Sequence, residues 1–334
     1  MSQTNCCQNI PFTRDIQSKK VYCKKHFIEL IENRVRKTIN QYNMLNKDDH
    51  IGLGYSGGKD STVLLNILFK LKKRFPQCTL SALTIDEGIK GYRDECLELT
   101  QKITKKYQIP HVIISFKNIY GVTLDQIIEE NLSKEYALSA CSICGILRRR
   151  ALNYAARKVN ASKIATAHNL DDEAQSILLN LVRGDSNKFI RLSRFPIQKF
   201  QTLIPRIRPF VRITEPEIVL YAYAKDLEYH SYPCPYAFSA MRNHIRTFLS
   251  EMEEKRPSTL RNIVNLHDSV SQYFPQVDNL EPPFLCQKCG EVSTHEICPI
   301  CQLLDNLGFK NPLKSEEPLN PHPQSGISDR FRSF

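Results

Sequence analysis

Residues 51–61 read IGLGYSGGKDS, and this run predicts a strand, a glycine turn and a helix in succession. Alternating apolar residues through Tyr55 indicate a short strand, and residues 62–73 (TVLLNILFKLKK) carry apolar residues at helical spacing. Two glycines in the turn let backbone N–H groups approach an anion closely, and the helix N-terminus adds a favourable dipole. The run therefore suits the phosphates of a nucleotide, although it lacks Walker A spacing. The alternative is an ordinary strand–turn–helix.

Composition and charge set the broad class of the protein. The chain has 334 residues, 41% of them hydrophobic, which is enough for one large domain with one or two small ones. Its formal charge of +11 favours a polyanionic partner such as RNA or DNA. No segment approaches the roughly 20 apolar residues of a membrane span, and the N-terminus lacks signal-peptide features. The sequence thus predicts a cytoplasmic protein without membrane association.

Strand and helix patterns alternate from residue 50 to about residue 230, which predicts a parallel sheet with helices on both faces. The candidate strands are 51–56, 79–86, 111–117 and 163–168, and the candidate helices are 61–74, 92–107, 144–159 and 171–183. Ligands on such a sheet bind at the carboxyl ends of the strands. Residues at or just after these ends, expected to converge there, are Ser56, Asp86, Cys141 and His168.

Twelve cysteines in an intracellular chain favour metal or redox chemistry over disulfides. Two Cys-x-x-Cys pairs near the C-terminus have the spacing of a tetrahedral structural zinc site. They comprise Cys286, Cys289, Cys298 and Cys301. A segment this short buries little core, so the metal would supply its folding energy.

A second, less regular zinc site is predicted near the N-terminus. Cys23 and His26 form one good ligand pair, whereas their partners Cys6 and Cys7 are adjacent to each other. The alternative is a frayed terminus with exposed thiols.

A third pair, Cys141 and Cys144, leads into a basic helix, and Cys234 lies about ninety residues further on. Three thiolates would leave one metal position open or would bind an iron–sulfur cluster with a free iron site. A redox or persulfide-carrying pair is another possibility. Alternatively, the pair is structural and Cys234 is unrelated to it. The basic helix, 148–158, is either a solvated face or a contact for a nucleic-acid backbone.

Several polar residues follow the predicted strands. Asp86, Asp171 and Asp172 are candidates for holding Mg²⁺ on a triphosphate, and the last two would otherwise be helix N-terminal charges. Arg183 closes the helix that Asp171 opens.

Further helices are predicted over 215–227, 236–254 and 257–273. The predicted organisation of the chain has six parts. These parts are an N-terminal zinc module (1–27), a linking helix (28–49), an ATP-binding catalytic domain (50–230), a helical extension carrying the third cysteine (231–279), a C-terminal zinc ribbon (280–309) and a disordered tail (310–334).

Taken together, these motifs resemble the tRNA 2-thiolation enzymes of the TtuA and cytoplasmic tRNA 2-thiolation protein 1 type. The matching pieces are GYSGGKDS (54–61), CSICGILRR (141–149), ATAHNLDDEAQSILLNLVRGD (165–185), CPYAFSAMR (234–242) and CQKCG…CPIC (286–301). The resemblance implies a PP-loop (adenine nucleotide alpha hydrolase-like) α/β domain flanked by two zinc modules.

The resemblance also implies a mechanism. ATP would adenylate the C2 oxygen of a tRNA uridine, and sulfur would then displace AMP. Cys141, Cys144 and Cys234 would hold a 4Fe-4S cluster whose free iron presents the sulfur, and Asp171 would be the catalytic or Mg²⁺-orienting acid beside Asp172. The ATP-binding residues would be Gly54, Ser56, Gly57, Gly58, Lys59, Asp60, Ser61, Ile85, Asp86, His168, Asp172 and Arg183. The implied partners are tRNA, a ubiquitin-like sulfur carrier and a second copy of the chain.

The chain departs from the family pattern at two places. Thr4 stands where the first N-terminal metal ligand is expected, so that either Cys6 substitutes for it or the site is weakened. Arg148 occupies a position that lysine can hold in some members, and if this group contacts the reacting uridine, its permanent charge would exclude a proton-transfer role.

Two other functions would account for part of these motifs. A tRNA cytidine 2-thiolase would share the PP-loop and the cysteine trio but lack the terminal zinc modules. A non-catalytic zinc-bearing tRNA adaptor would have lost the PP-loop residues or the trio, and both are present here.

Overall fold

The computed structural model describes most of the chain, with gaps. The described residues are 7, 9–15, 18–72, 77–133, 138–192, 204–236, 242–271, 273, 284–293 and 295–309. Cys6 and the predicted disordered tail lie outside them. No helix among these residues has the length and apolar character needed to cross a bilayer.

Nine strands form three sheets in the described part of the chain. In chain order they are β1 (Pro11–Arg14), β2 (Val21–Cys23), β3 (His50–Gly54), β4 (Thr79–Asp86), β5 (His111–Ser115), β6 (Lys163–Ala165), β7 (Arg206–Ile207), β8 (Phe284–Leu285) and β9 (Val292–Ser293).

Twelve helices connect and cover these strands in the same residues. They are α1 (Lys24–Gln41), α2 (Lys59–Lys72), α3 (Arg93–Lys106), α4 (Phe116–Tyr120), α5 (Leu124–Ser133), α6 (Ala140–Lys158), α7 (Leu170–Val182), α8 (Ser186–Arg191), α9 (Glu215–Ala224), α10 (Arg242–Lys255), α11 (Thr259–Ser271) and α12 (Pro299–Asn306).

The central sheet has the order β5-β4-β3-β6-β7, and all four of its pairings are parallel. The predicted parallel α/β domain is therefore confirmed. The chain moves outward from β3 through β4 to β5 and then returns to the other side of β3 as β6. This reversal places the topological switch point between β3 and β6, where open α/β sheets bind their ligands.

The sheet is buried on both faces, and β4 shows why. Leu80 and Ala82 join a core formed with α1, α2 and α9, whereas Leu83 and Ile85 join a second core formed with α4, α5 and α6. Alternate residues of a strand point to opposite faces, so the apolar run TLSALTID serves both layers.

Small elements surround this domain. The hairpin of β1 and β2 packs against α1, and α10 and α11 pack against α7. The β8–β9 hairpin and α12 form a C-terminal module whose cysteines belong to the second core, beside α6.

Candidate active site

The turn between β3 and α2 is shaped to receive an anion. Gly57 has φ of +81°, a conformation that glycine adopts freely, and an added Cβ would lie 3.0 Å from the Thr100 side chain. The Ser61 hydroxyl donates to the Gly58 carbonyl oxygen (3.0 Å) and lies 3.1 Å from the Ser56 hydroxyl. These contacts hold the turn open at the N-terminus of α2, which favours negative charge.

Lys59 forms ion pairs with carboxylates beside this turn. Its Nζ lies 3.1 Å from Asp60 Oδ1 and 3.2 Å from Glu215 Oε1. Burial raises the pKa of Asp60, an effect that Lys59 partly offsets. Arg246 adds a second cation, 2.8 Å from Glu215 Oε2. Carboxylates next to a phosphate-binding turn provide the ligands that Mg²⁺ prefers.

Asp171 and Asp172 lie on the other side of the switch point, at the start of α7. Asp172 forms a capping box with Asn169, which is a structural role. Asp171 instead accepts a hydrogen bond from the backbone N–H of Glu215 (2.8 Å). Burial, together with the charges of Glu215 and Asp172, raises the pKa of Asp171 to about 6 against the opposing hydrogen bond from the Glu215 N–H. His168, just before them, is exposed and lies 3.0 Å from the Thr166 hydroxyl.

Cys141 and Cys144 lie in the first two turns of α6, three residues apart and so on one face of the helix. The expectation that Cys141 follows a strand end is wrong, because α4 and α5 separate it from β5. Cys141 is exposed, whereas burial raises the pKa of Cys144 to about 11. The Arg148 guanidinium donates to the Cys144 sulfur (3.0 Å) and so favours the thiolate.

The segment 230–236 connects the glycine turn to the cysteine pair. At one end the His230 N–H donates to the Gly57 carbonyl oxygen (2.9 Å). At the other end the Tyr236 carbonyl oxygen accepts from the Cys141 thiol (3.3 Å). Cys234 lies between them, and six residues of extended chain span at most about 20 Å. Segment 230–236 therefore keeps the glycine turn and Cys141 within roughly 25 Å of each other, with Cys234 on the connecting chain.

The three sulfur atoms are less tightly grouped than those of the terminal modules. Among the described residues, two sets of three or more ligand atoms lie within 4.8 Å of one another, and the trio of Cys141, Cys144 and Cys234 is not one of them. Burial raises the pKa of Cys234, while the Tyr236 backbone and Arg148 favour its thiolate.

A second connection runs through buried charges. Arg93 contacts the Ser56 carbonyl oxygen (3.5 Å) and pairs with Glu87 (2.9 Å). The other oxygen of Glu87 pairs with Arg148 (2.8 Å), which in turn contacts Cys144. Glu87 is only 4% exposed, so its carboxylate is held by these two cations. This chain of contacts fixes the cysteine pair relative to the turn.

The four C-terminal cysteines form a compact, buried ligand set. Their sulfur atoms lie within 4.8 Å of one another, and Cys289 and Cys298 are 3.7 Å apart. The Cys298 N–H donates to the Cys286 sulfur (3.2 Å), and the Cys301 N–H donates to the Cys298 sulfur (3.3 Å). Such bonds stabilise thiolates, and four converging thiolates suit a tetrahedral metal ion.

The N-terminal set is smaller among the described residues. Cys7, Cys23 and His26 place their ligand atoms within 4.8 Å, with Cys23 Sγ 3.3 Å from His26 Nδ1. The backbone N–H of His26 lowers the pKa of Cys23 against the effect of burial. Three ligands thus converge without Cys6.

The remaining predicted residues lie at varied distances from the turn. Gly54 ends β3, the Ile85 carbonyl oxygen accepts from Arg93, and Asp86 accepts from the Gly88 N–H (2.9 Å). Arg183 caps the far end of α7, about 18 Å from Asp171 at 1.5 Å per residue.

Sequence reasoning missed three residues of this region, namely Glu87, Arg93 and Glu215. The sequence predicts Glu215 only as the first residue of the helix over 215–227, although it contacts Lys59 and Asp171. The DEG run after β4 was a usable signal for Glu87, since it adjoins a predicted strand end.

Comparisons with known proteins identify the family of this chain. The model of the PP-loop domain family matches residues 28–253. The chain is 38% identical to cytoplasmic tRNA 2-thiolation protein 1 of Dictyostelium discoideum over 304 residues, covering 90% of this chain and 82% of that protein. It is 34% identical to the protein of the same name from Danio rerio over 306 residues, covering 91% and 88%.

A solved structure shows the same fold. It is described as U34-tRNA thiolase NcsA from Methanococcus maripaludis with its 4Fe-4S cluster, and it superposes with a TM-score of 0.79 at 30% identity. The match covers 92% of this chain and 97% of that one. Because the domain match spans more than half of the chain and the relatives align over most of both lengths, the chain belongs to the cytoplasmic tRNA 2-thiolation protein 1 family of PP-loop proteins.

Proposed function

We propose that the protein is an ATP-dependent tRNA sulfurtransferase that thiolates a uridine at C2. The observation that carries this proposal is the segment 230–236, which contacts the glycine turn through His230 and the cysteine pair through Tyr236. A phosphate-binding turn alone fits many ATP-dependent ligases. Adjoining thiols add a means of sulfur transfer, and the relatives' names and the +11 charge favour tRNA as the substrate.

In this proposal the turn binds ATP and Lys59 neutralises its phosphates. Asp171, Asp60 and Glu215 would hold Mg²⁺ on the triphosphate. Asp60 and Glu215 contact Lys59, and Asp171 accepts from the Glu215 N–H. The uridine C2 oxygen attacks the α-phosphorus and pyrophosphate leaves. A sulfur nucleophile then attacks C2, and AMP leaves with the oxygen.

Cys141, Cys144 and Cys234 would hold a 4Fe-4S cluster. Ligand sulfurs around a four-iron cube stand further apart than those around one ion, so the wider spacing of this trio suits a cluster better than zinc. The solved relative is described with such a cluster. When bound, the cluster would supply an iron site that binds the transferable sulfur. The Arg148 cation lies beside the trio and would offset the negative charge of its thiolates.

The two terminal ligand sets would bind structural zinc. Four buried thiolates at the C-terminus complete a tetrahedral site, whereas Cys7, Cys23 and His26 supply three ligands and Cys6 is the remaining candidate. A homodimer, a ubiquitin-like sulfur carrier as donor and a cytoplasmic location are further parts of the proposal. The family membership supports them, and the relatives' names include the word cytoplasmic.

The test is a thiolation assay on the full chain. Purified anaerobically and given tRNA, ATP, Mg²⁺ and inorganic sulfide, the protein should form 2-thiouridine and release AMP and pyrophosphate in equal amounts. Mass spectrometry of digested tRNA identifies the nucleoside. Formation of 2-thiocytidine instead, or AMP release without any thiolated nucleoside, would contradict the proposal.

The raised pKa of Asp171 predicts a pH dependence. If ionised Asp171 holds Mg²⁺, kcat/KM should fall about tenfold per pH unit below pH 6. The same shift affects folding. The folded state binds this proton more tightly than the unfolded state, where the pKa is about 3.9, so the contribution to stability is present below pH 4 and is lost as pH rises through 6.

Asp171→Asn is the variant that isolates this group. The variant should lower activity at every pH. It should also remove the fall of kcat/KM below pH 6 (the acid limb of the profile) and the pH dependence of stability that Asp171 contributes. An unaltered acid limb in the variant would assign that limb to a different group.

A further inference from the structure

Three consecutive arginines of α6 meet three different surroundings. Arg148 pairs with Glu87 and contacts Cys144, as described above. Arg150 is only 8% exposed and lies against the C-terminal module, with its Nη1 3.7 Å from the Cys298 sulfur. Consecutive helical residues point about 100° apart, so the run cannot serve a single face. Arg149 has neither of these roles.

Arg149 is exposed and shares its surface with a second exposed arginine from β7. The Arg206 guanidinium donates to the Arg149 carbonyl oxygen (2.8 Å) and lies 3.4 Å from Asn153 Oδ1. Neither arginine forms an ion pair with a carboxylate of the described residues. By contrast, the neighbouring Arg208 is paired with Glu173 at 2.5 Å.

The two cations are held together at an electrostatic cost. Desolvation, together with the charges of Arg149 and Arg208, lowers the pKa of Arg206 to about 10. The pKa of Arg149 is also lowered, by desolvation and by Arg148. Two neighbouring cations that have no carboxylate partner repel each other, and an anion that binds between them reduces this repulsion. Guanidinium groups suit phosphate in particular, because their planar donors match its oxygens.

We infer that Arg149 and Arg206 form a binding site for the phosphate backbone of the tRNA. The inference rests on the proposed function and specifies which surface the RNA contacts. Arg149 lies five residues beyond Cys144 in α6, a rise of about 8 Å along the helix, so a strand bound here passes near the cysteine pair. Such contacts position the RNA without reading its sequence.

The experiment measures tRNA binding by fluorescence anisotropy as a function of salt concentration. Replacing both residues (Arg149→Gln, Arg206→Gln) should weaken binding at least about tenfold and lower the log–log salt slope by about 1 to 2. ATP affinity should be unchanged, because neither residue contacts the glycine turn. The control is Lys105→Gln with Lys106→Gln, which removes the same charge from an exposed end of α3 and should leave the slope unchanged.

The single variant Arg149→Gln is a control for folding, because no hydrogen bond of the Arg149 side chain is lost. It should lower the log–log salt slope by about half as much as the double variant does. A double variant that matches the wild type, or that loses no more affinity than the lysine control, overturns the inference while leaving the proposed function intact. A wild-type chain that fails to bind tRNA even at low salt overturns the proposed function itself.

Discussion

A Cys141→Ala chain is expected to lose at least roughly 1000-fold in thiolation rate while binding tRNA and ATP as before. The Cys141 side chain is exposed and makes one hydrogen bond, to the Tyr236 carbonyl oxygen, so its removal disturbs little of the fold. The substitution removes one of the three thiols that α6 and the segment 230–236 bring together. Iron content after anaerobic reconstitution should fall with the activity.

The matched control is Cys78→Ala. Cys78 is a buried free thiol in the core of β3, β4 and α2, remote from α6. This variant should keep its iron and its activity, apart from a small loss of stability. Thiolation by Cys141→Ala at the wild-type rate would exclude the assigned role of the trio.

Lys59→Met should weaken ATP binding roughly 10- to 150-fold, which is the range of one charge-assisted hydrogen bond to phosphate. The loss has a second cause, because Lys59 is the counterion of Asp60 and Glu215. Without it these carboxylates repel the triphosphate. Calorimetric titration with ATP and Mg²⁺ measures the effect, and tRNA affinity should not change.

Lys70→Met serves as the control for this prediction. Lys70 lies in the last turn of the same helix and also forms an ion pair, with Glu32, but at the end away from the turn. Its replacement should leave ATP affinity within about twofold of the wild type. An equal loss in both variants would assign the effect to net charge and not to a phosphate contact.

Local patterns predicted the central elements well. The run TLSALTID predicted a strand over 79–86, and β4 has those bounds. The predicted strand 111–117 instead ends at Ser115, because the Ser115 hydroxyl accepts from the Asn118 N–H and starts α4. The two-residue β7 was not predicted, since a strand so short carries no periodicity and is defined by its pairing with β6.

The site was predictable where its chemistry is local in sequence. In SGGKDS and in the Cys-x-x-Cys pairs, the spacing of the residues within the motif is enough to indicate the chemistry. The contacts of Glu215 with Lys59 and of Glu87 with Arg148 join residues 156 and 61 positions apart, and nothing in either segment alone indicates them. Their discovery required the sheet order, which brings the ends of β3, β4 and β6 to one edge.

The divergent surroundings of the three arginines limit how α6 can change in evolution. Inserting or deleting one residue between Cys144 and Arg148 would turn the rest of the helix by about 100° relative to the sulfur pair. Each guanidinium would then take the position of its neighbour, so the solvent-facing cation would lie against the buried Glu87 carboxylate or the Cys298 sulfur. A point substitution at one of these positions would affect the contacts of one arginine, whereas a shift in helical phase would disrupt the contacts of all three at once.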